Sequence, residues 1–200
     1  MARWQAGAAD RLEQAALDLF LEQGFVETTV PQITTRAGLT TRTFFRHFAD
    51  KRDVLFRADA DVPRFVQRLM AEAPPTLEPM TLISTQLSQF AEQVFATRRD
   101  ILLLQHRIIE TDPSLQDRKR RKMATLREAM MTGFLQRGTP ELVATLAADL
   151  AISVLGTALE RWLAGQSTVP LAAYIAEGLQ ALDTLTRRKR QEPPIMPPAE

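Results

Sequence analysis

From residue 28 to residue 55 the chain reads Thr28-Thr29-Val30-Pro31-Gln32-Ile33-Thr34-Thr35-Arg36-Ala37-Gly38-Leu39-Thr40-Thr41-Arg42-Thr43-Phe44-Phe45-Arg46-His47-Phe48-Ala49-Asp50-Lys51-Arg52-Asp53-Val54-Leu55. The spacing is that of two short helices joined by a tight turn. Thr29 is placed to cap the first of them, with Gln32 at the third position of a capping box and Pro31 in the first turn, where a missing N–H does no harm. Ile33 and Ala37 face inward, Gly38 stops the helix and permits the turn, and Leu39 plugs the gap between the two helices. Thr40 caps the second helix, which runs to His47 or Phe48. Phe44 and Phe48, four residues apart, anchor that helix from one side. Asp50 then caps a further helix starting at Lys51.

Working outward, the same vocabulary continues. Leu12, Ala16, Leu19 and Phe20 recur at helical spacing over Asp10 to Gln23, and Gly24 ends that helix. Downstream of Lys51 one helix is expected to carry Val54, Leu55, Phe56, Phe65 and Leu69, with Pro63 kinking or breaking it. A joint at Ala73-Pro74-Pro75 precedes helices predicted at Pro79 to Ala96, Asp100 to Glu110 and Pro113 to Arg137. Thr139-Pro140 supplies an N-cap and first-position proline for a helix reaching Leu163, and Val169-Pro170 opens a last one through about Arg190. Alternating β-type runs with hairpin signals are absent. The expected fold is all-α, with about nine helices: a three-helix unit over 1–52, a larger helical domain over 53–190, and a Pro-rich tail over 191–200 that cannot be helical.

Composition narrows the function classes. The 200 residues carry 25 basic and 24 acidic side chains, so any hold on nucleic acid must come from a local patch. That patch exists: residues 36–52 contain Arg36, Arg42, Arg46, Lys51 and Arg52 against the single acid Asp50. There is no cysteine, which excludes disulfides, thiol catalysis and thiolate metal sites. His47 and His106 lie far apart, so no metal site or cofactor is implied. Metal-ligand spacing, a Gly-rich phosphate loop and a nucleophile elbow are all missing, and an enzyme is not expected. Residues 1–5 lack the apolar run of a signal peptide, so a soluble, cytoplasmic protein is expected. Leu142 to Leu159 is apolar nearly all round, but Asp149 in its middle favours burial in protein over lipid.

The run from Gly38 to Lys51 resembles the DNA-binding signature of the TetR family of bacterial transcriptional regulators, and Gly24-Phe25 with Thr28-Thr29-Val30 matches that family's link between its first two helices. The resemblance covers about a quarter of the chain; the remainder shares only length and all-helical layout. It implies an N-terminal helix-turn-helix domain followed by a ligand-binding and dimerisation domain. Thr41 and Arg42, early in the second helix of the motif, are candidates for reading base edges, since Arg can hold guanine with two hydrogen bonds. Arg46 shares the outward face, and Thr40, as the cap, belongs to the same contact set. Thr29 at a helix start suits a phosphate. Thr43, His47 and Lys51 match family positions that touch the DNA backbone. Phe45 departs from the family's usual Tyr: it can pack but cannot donate a hydrogen bond to a phosphate. Taken alone, each Thr also reads as a cap and His47 as a packing residue.

Phe65, Phe90, Leu103, Met123, Met130 and Phe134 form a pool of large, adaptable side chains suited to a ligand pocket or simply to a core. His106 and Arg107 read either as ligand-orienting groups or as a core histidine and a salt-bridge arginine. Leu146, Leu150, Val154, Leu155, Leu159 and Trp162, with Leu171, Ile175, Leu179 and Leu182, are the stripes expected to pair two copies, as the family's last two helices do. The run Arg118 to Lys122 reads as a second nucleic-acid patch or, as such runs more often are, a solvated or acid-paired helix face. The expected function is a homodimeric repressor of a palindromic double-stranded DNA operator, released by a small-molecule effector, with no membrane partner. The rival readings are an activator, a regulator without a ligand, a helical interaction module that no longer binds DNA, or a small-molecule-binding enzyme.

Overall fold

A computed structural model describes residues 7–57, 62–165 and 168–186. Ten α-helices span them, and no strand occurs among the described residues. They are α1 (Ala8–Gln23), α2 (Val30–Ala37), α3 (Thr41–His47), α4 (Lys51–Val54), α5 (Val62–Glu72), α6 (Pro79–Phe95), α7 (Arg99–Glu110), α8 (Pro113–Gln136), α9 (Glu141–Ala164) and α10 (Leu171–Thr186). A 3₁₀ turn, Ala96–Arg98, joins α6 to α7. The fold is the expected all-α one, with an N-terminal helix-turn-helix unit and a larger helical domain.

The caps read from the sequence are formed. The Thr29 hydroxyl accepts from the Gln32 N–H at 3.5 Å, while the Thr29 N–H donates to Gln32 Oε1 at 2.8 Å. Asp50 accepts from the Arg52 and Asp53 N–H groups and starts α4. Asp112 does the same for α8 through Ser114 and Leu115, and the Ser114 contacts hold its carboxyl below the usual carboxylate range. Thr139 is not the cap of α9. Gly138, at φ +80°, closes α8 instead, and the Thr139 N–H returns to the Phe134 carbonyl, so α9 begins one residue later after Pro140.

The single helix expected from Lys51 across Pro63 is two helices. α4 tightens into i to i+3 bonds at its end, with Leu55 N–H on the Arg52 carbonyl and Phe56 N–H on that of Asp53. Pro63 occupies the second position of α5, where its lost donor has no partner to miss. Residues 187–200, which include the predicted end of the last helix and the Pro-rich tail, lie outside the described residues.

Two hydrophobic cores organise the chain. The first holds Leu12, Ala16, Leu17 and Phe20 of α1, Ile33, Phe44 and Phe48, and reaches Val54 and Leu55, past the predicted boundary at 52/53. It also recruits Ile108 and Ile109 of α7 and Leu115 of α8. The second core lies among α5, α6, α8, α9 and α10. α9 has the length and mean hydropathy (1.9) of a membrane span. Its inner stripe, Ala144, Ala147, Ala148, Ala151, Leu155, Ala158 and Trp162, is consumed by this second core. Small residues there let neighbouring helices approach closely.

Candidate nucleic-acid interface

Local chemistry fixes the angle between α2 and α3. Gly38 sits in the left-handed region (φ +64°), which a β-carbon disfavours. The Leu39 N–H returns to the Thr34 carbonyl at 2.9 Å, closing the C-terminus of α2. Arg11 of α1 donates to the Ala37 carbonyl and lies 3.4 Å from that of Gly38, pinning the turn to α1. Phe44 is fully buried and its ring lies 5.3 Å from that of Phe48, so α3 is anchored along one side.

The other side of α3 is open. Thr41, Arg42, Phe45, Arg46 and His47 are exposed on it. Arg42 and Arg46 make no ion pair among the described residues, so their donors are available. Phe45 is 59% exposed although apolar, resting edge-on against Phe44. Thr40 and Thr43 serve the helix start: the Thr40 hydroxyl accepts from the Thr43 N–H at 3.2 Å, and the two hydroxyls meet at 3.0 Å. Arg36 forms a bidentate pair with Glu22 at 2.6 and 2.7 Å on an exposed surface. That pairing raises the arginine pKa and lowers that of the glutamate.

Lys51 was expected to meet the DNA backbone, and the structure gives it another task. Its ammonium donates to the carbonyls of Phe25, Val26 and Thr28 at 2.7, 3.0 and 2.8 Å and stands 4.5 Å over the Phe25 ring. All three donors are thereby spent. Desolvation pushes its pKa down. Lys51 is a strut tying the start of α4 to the link before α2.

Sequence reasoning missed the groups that join the two cores. Glu13 of α1, 7% exposed at its side chain, accepts from Arg98 at 2.6 Å, Arg57 at 3.0 Å and Gln105 at 3.4 Å. Arg57 also pairs with Asp10 at 2.6 Å, holding that carboxyl below its usual range. Three members of the basic run on α8 are acid-paired: Arg118 reaches Asp53 and Asp50, Lys119 reaches Glu110, and Arg120 reaches Asp117. Arg118 and Lys122 also lie 5.6 and 5.4 Å over the Phe56 ring. The signal for Glu13 was legible in principle: an acid in register with Ala16 and Phe20 stands within an apolar stripe.

The second core contains a cavity of about 40 Å³ lined by Val66, Leu69, Met70, Leu82, Ile83, Gln86, Leu87, Phe90, Met130, Phe134 and Ala151. Phe90, Met130 and Phe134 were expected there, and Phe65 packs behind, its ring 5.8 Å from that of Phe90. Leu103, His106, Arg107 and Met123 do not line it. His106 Nδ1 instead lies 3.9 Å from a Glu110 oxygen one turn along α7. Among the described residues, no group of three or more His, Asp or Glu is placed to hold a metal ion.

Of the stripes expected to pair two copies, Val154, Leu155, Trp162, Leu171 and Ile175 are buried within this chain's own second core. They face inward because α9 and α10 pack on each other and on α6. Leu146 is exposed, and Leu150, Leu159, Leu179 and Leu182 are half-buried. Exposed Leu142 and Val143 extend this surface, and a β-carbon added at Gly156 would meet open space.

Residues 13–58 match the model of the tetR family of bacterial regulatory proteins. The HTH-type transcriptional regulator TcmR of Streptomyces glaucescens is 53% identical over 45 residues, an alignment spanning 22% of this chain and 20% of that protein. The HTH-type transcriptional repressor BepR of Brucella suis is 29% identical across 95% of this chain and 97% of its own length. Among solved structures, the TetR-family repressor FadR of Thermus thermophilus, bound to lauroyl-CoA, superposes with a TM-score of 0.56. It is 24% identical, over 92% of this chain and 98% of that one. On these likenesses, residues 13–58 are similar to the DNA-binding region of the tetR family of bacterial regulatory proteins, and the chain as a whole shares the fold of solved TetR-family regulators.

Proposed function

We propose that the protein is a cytoplasmic repressor that binds a palindromic operator as a homodimer and leaves it when a small molecule enters the larger domain. The observation that carries this reading is the outward face of α3. A basic, exposed face with uncommitted Arg42 and Arg46 stands on a helix whose opposite side is locked by Phe44 and Phe48. On this reading Arg42 and Thr41 read base edges in the major groove. Arg46, His47, Thr29, Thr40 and Thr43 meet the backbone, joined by Arg36 when it exchanges Glu22 for a phosphate. Phe45 contributes apolar contact only. Residues 1–52 supply the DNA-binding unit and 53–190 the effector and dimer unit.

The outer faces of α9 and α10 support the homodimer. Leu142, Leu146 and Leu150, continued past Ser153 and Gly156, leave an apolar, closely approachable surface on α9. A two-fold pair places two recognition helices on successive major grooves when they lie about 34–36 Å apart.

Effector release follows from differential affinity for two conformations. The cavity walls lead directly to the ties between the cores. α6 ends in the turn whose Arg98 holds Glu13, and α8 carries both the cavity residues Met130 and Phe134 and the Arg118 that holds Asp53. Moving α6 or α8 therefore pulls on α1 and α4.

Selection of bound duplexes from a random DNA library tests the reading. The expected result is enrichment of one palindrome whose binding weakens as salt rises. Failure to enrich any sequence overturns it. Enrichment accompanied by higher reporter transcription on binding favours the activator reading.

A further inference from the structure

Phe45 is a large apolar side chain set on a basic surface. It is 59% exposed, although its neighbour Phe44 is fully buried and Phe48, next along the same side, is buried too. Its ring meets that of Phe44 edge-on, with centroids 5.4 Å apart and the planes at 83°. We infer that Phe45 reads a pyrimidine C5 methyl group, that of a thymine next to the guanine held by Arg42. The inference rests on the DNA-binding reading above and adds a specificity-determining residue to it.

The surroundings of the ring select the class of partner. Phe45 follows Thr41 by four residues and Arg42 by three, so it lies beside both, one turn further along α3. Arg46 and His47 come directly after it, and all four of these neighbours are exposed. A second copy of this face would bring like charges together, and an apolar protein partner would strip water from the arginines. A polyanion gains from the same cations, and duplex DNA is the polyanion of the reading above.

The chemistry of the duplex then narrows the contact. A phenyl ring has no donor, so it holds neither a phosphate oxygen nor a base-edge acceptor. Base edges in the major groove carry hydrogen-bonding groups, from which an apolar ring only removes water. The thymine C5 methyl is the apolar group there, and Phe is a side chain that suits it. Position agrees with chemistry. At about 1.5 Å of rise per residue, Phe45 stands about 4.5 Å beyond Arg42 along α3. That is close to the roughly 3.4 Å between successive bases of one strand, so Arg42 on a guanine sets Phe45 on the neighbouring step. The ring is also backed firmly: Phe44 behind it lies 5.3 Å from the Phe48 ring in the first core. With only two side-chain torsions to fix, Phe45 loses little freedom on contact.

Uracil in place of thymine removes the methyl and nothing else, so the test needs no change to the protein. Each thymine of the selected palindrome is replaced in turn, in both half-sites, and binding of the full chain is read by fluorescence anisotropy. At the thymine beside the guanine whose identity Arg42→Ala ceases to read, uracil is expected to weaken binding by about tenfold, roughly threefold for each methyl lost. Phe45→Ala is expected to bind the thymine and uracil duplexes equally, with the salt slope unchanged because no charge is removed. Phe45→Tyr keeps the ring and Arg42→Ala keeps Phe45, so both are expected to retain the preference for thymine.

Uracil tolerated at every position overturns the inference, as does a half-site with no thymine beside that guanine. A thymine preference that survives Phe45→Ala gives the methyl another reader and overturns it as well. In each of these cases the palindrome is still bound and the DNA-binding reading stands. If no palindrome is bound at all, that reading fails and the inference fails with it.

Discussion

Glu13 is the residue on which the junction between the two cores depends, and Glu13→Gln isolates its charge from its shape. The glutamine keeps the side chain's length and one carbonyl oxygen, but it faces two guanidinium groups with no negative charge. Charge-assisted hydrogen bonds contribute about 1.5–3 kcal/mol each, and removing one partner of a fully buried pair costs roughly 3–5 kcal/mol. The arginines are not fully buried: Arg98 is 25% and Arg57 34% exposed at the side chain, and Arg57 retains Asp10. Solvent therefore recovers part of the loss, and the expected cost is about 2–3 kcal/mol. In a chain of this size that lowers Tm by roughly 5–10 °C. Urea denaturation gives the free energy directly. A cycle with Arg98→Met is expected to show about 1–2 kcal/mol of coupling, since the two side chains touch. A Glu13→Gln protein within about 0.5 kcal/mol of the wild type, additive with Arg98→Met, would refute the claim that this network ties the cores.

Four other outcomes follow from the structure. Arg42→Ala is expected to cost about 1–3 kcal/mol in affinity for the selected operator and to relax preference at one base pair, read by competition with single-base variants. Lys51→Met, losing three carbonyl contacts, is expected to destabilise the fold by about 1–3 kcal/mol in urea while leaving the salt slope of DNA binding unchanged. Gly38→Ala forces a β-carbon into the left-handed region 3.0 Å from Arg11 Nη2, and is expected to cost about 1–2 kcal/mol of stability. Burial pushes the Lys122 ammonium down to about 7. Its folded pKa is then below its unfolded one, so its contribution to stability is complete above about pH 10.4 and is lost as pH falls through 7. Wild-type stability is expected to rise between pH 7 and 10, and Lys122→Met to flatten that rise, both measured by urea denaturation across the range.

The local rules carried furthest where the determinant was short in sequence. Thr29 with Gln32, Gly38, and Asp50 each act within three or four residues, and each formed as read. Phe44 and Phe48 were equally legible because a four-residue spacing on a short helix leaves one side for the core. Long-range partnership was not legible. Lys51 looks like a free cation in sequence, but Phe25, Val26 and Thr28 take its donors from 23–26 residues away. Glu13 finds Arg98 and Gln105 at separations of 85 and 92 residues. Periodicity likewise told that α9 and α10 are apolar on more than one side. It did not tell which stripe their own chain would bury, so Val154, Leu155, Trp162, Leu171 and Ile175 were placed on the surface that pairs two copies although the second core holds them. Pro63 was read as kinking or breaking one helix, and the break is what formed, with Pro63 at the second position of α5.

On the proposed reading, the open face of α3 holds duplex DNA. The affinity of the wild type and of Arg42→Ala/Arg46→Ala for the selected palindrome, measured by fluorescence anisotropy from low to high salt, tests it most directly. The expected result is a steep wild-type salt dependence, and a double variant that folds normally, binds at least about tenfold more weakly and shows a shallower slope. A double variant with the same affinity and the same slope would contradict it.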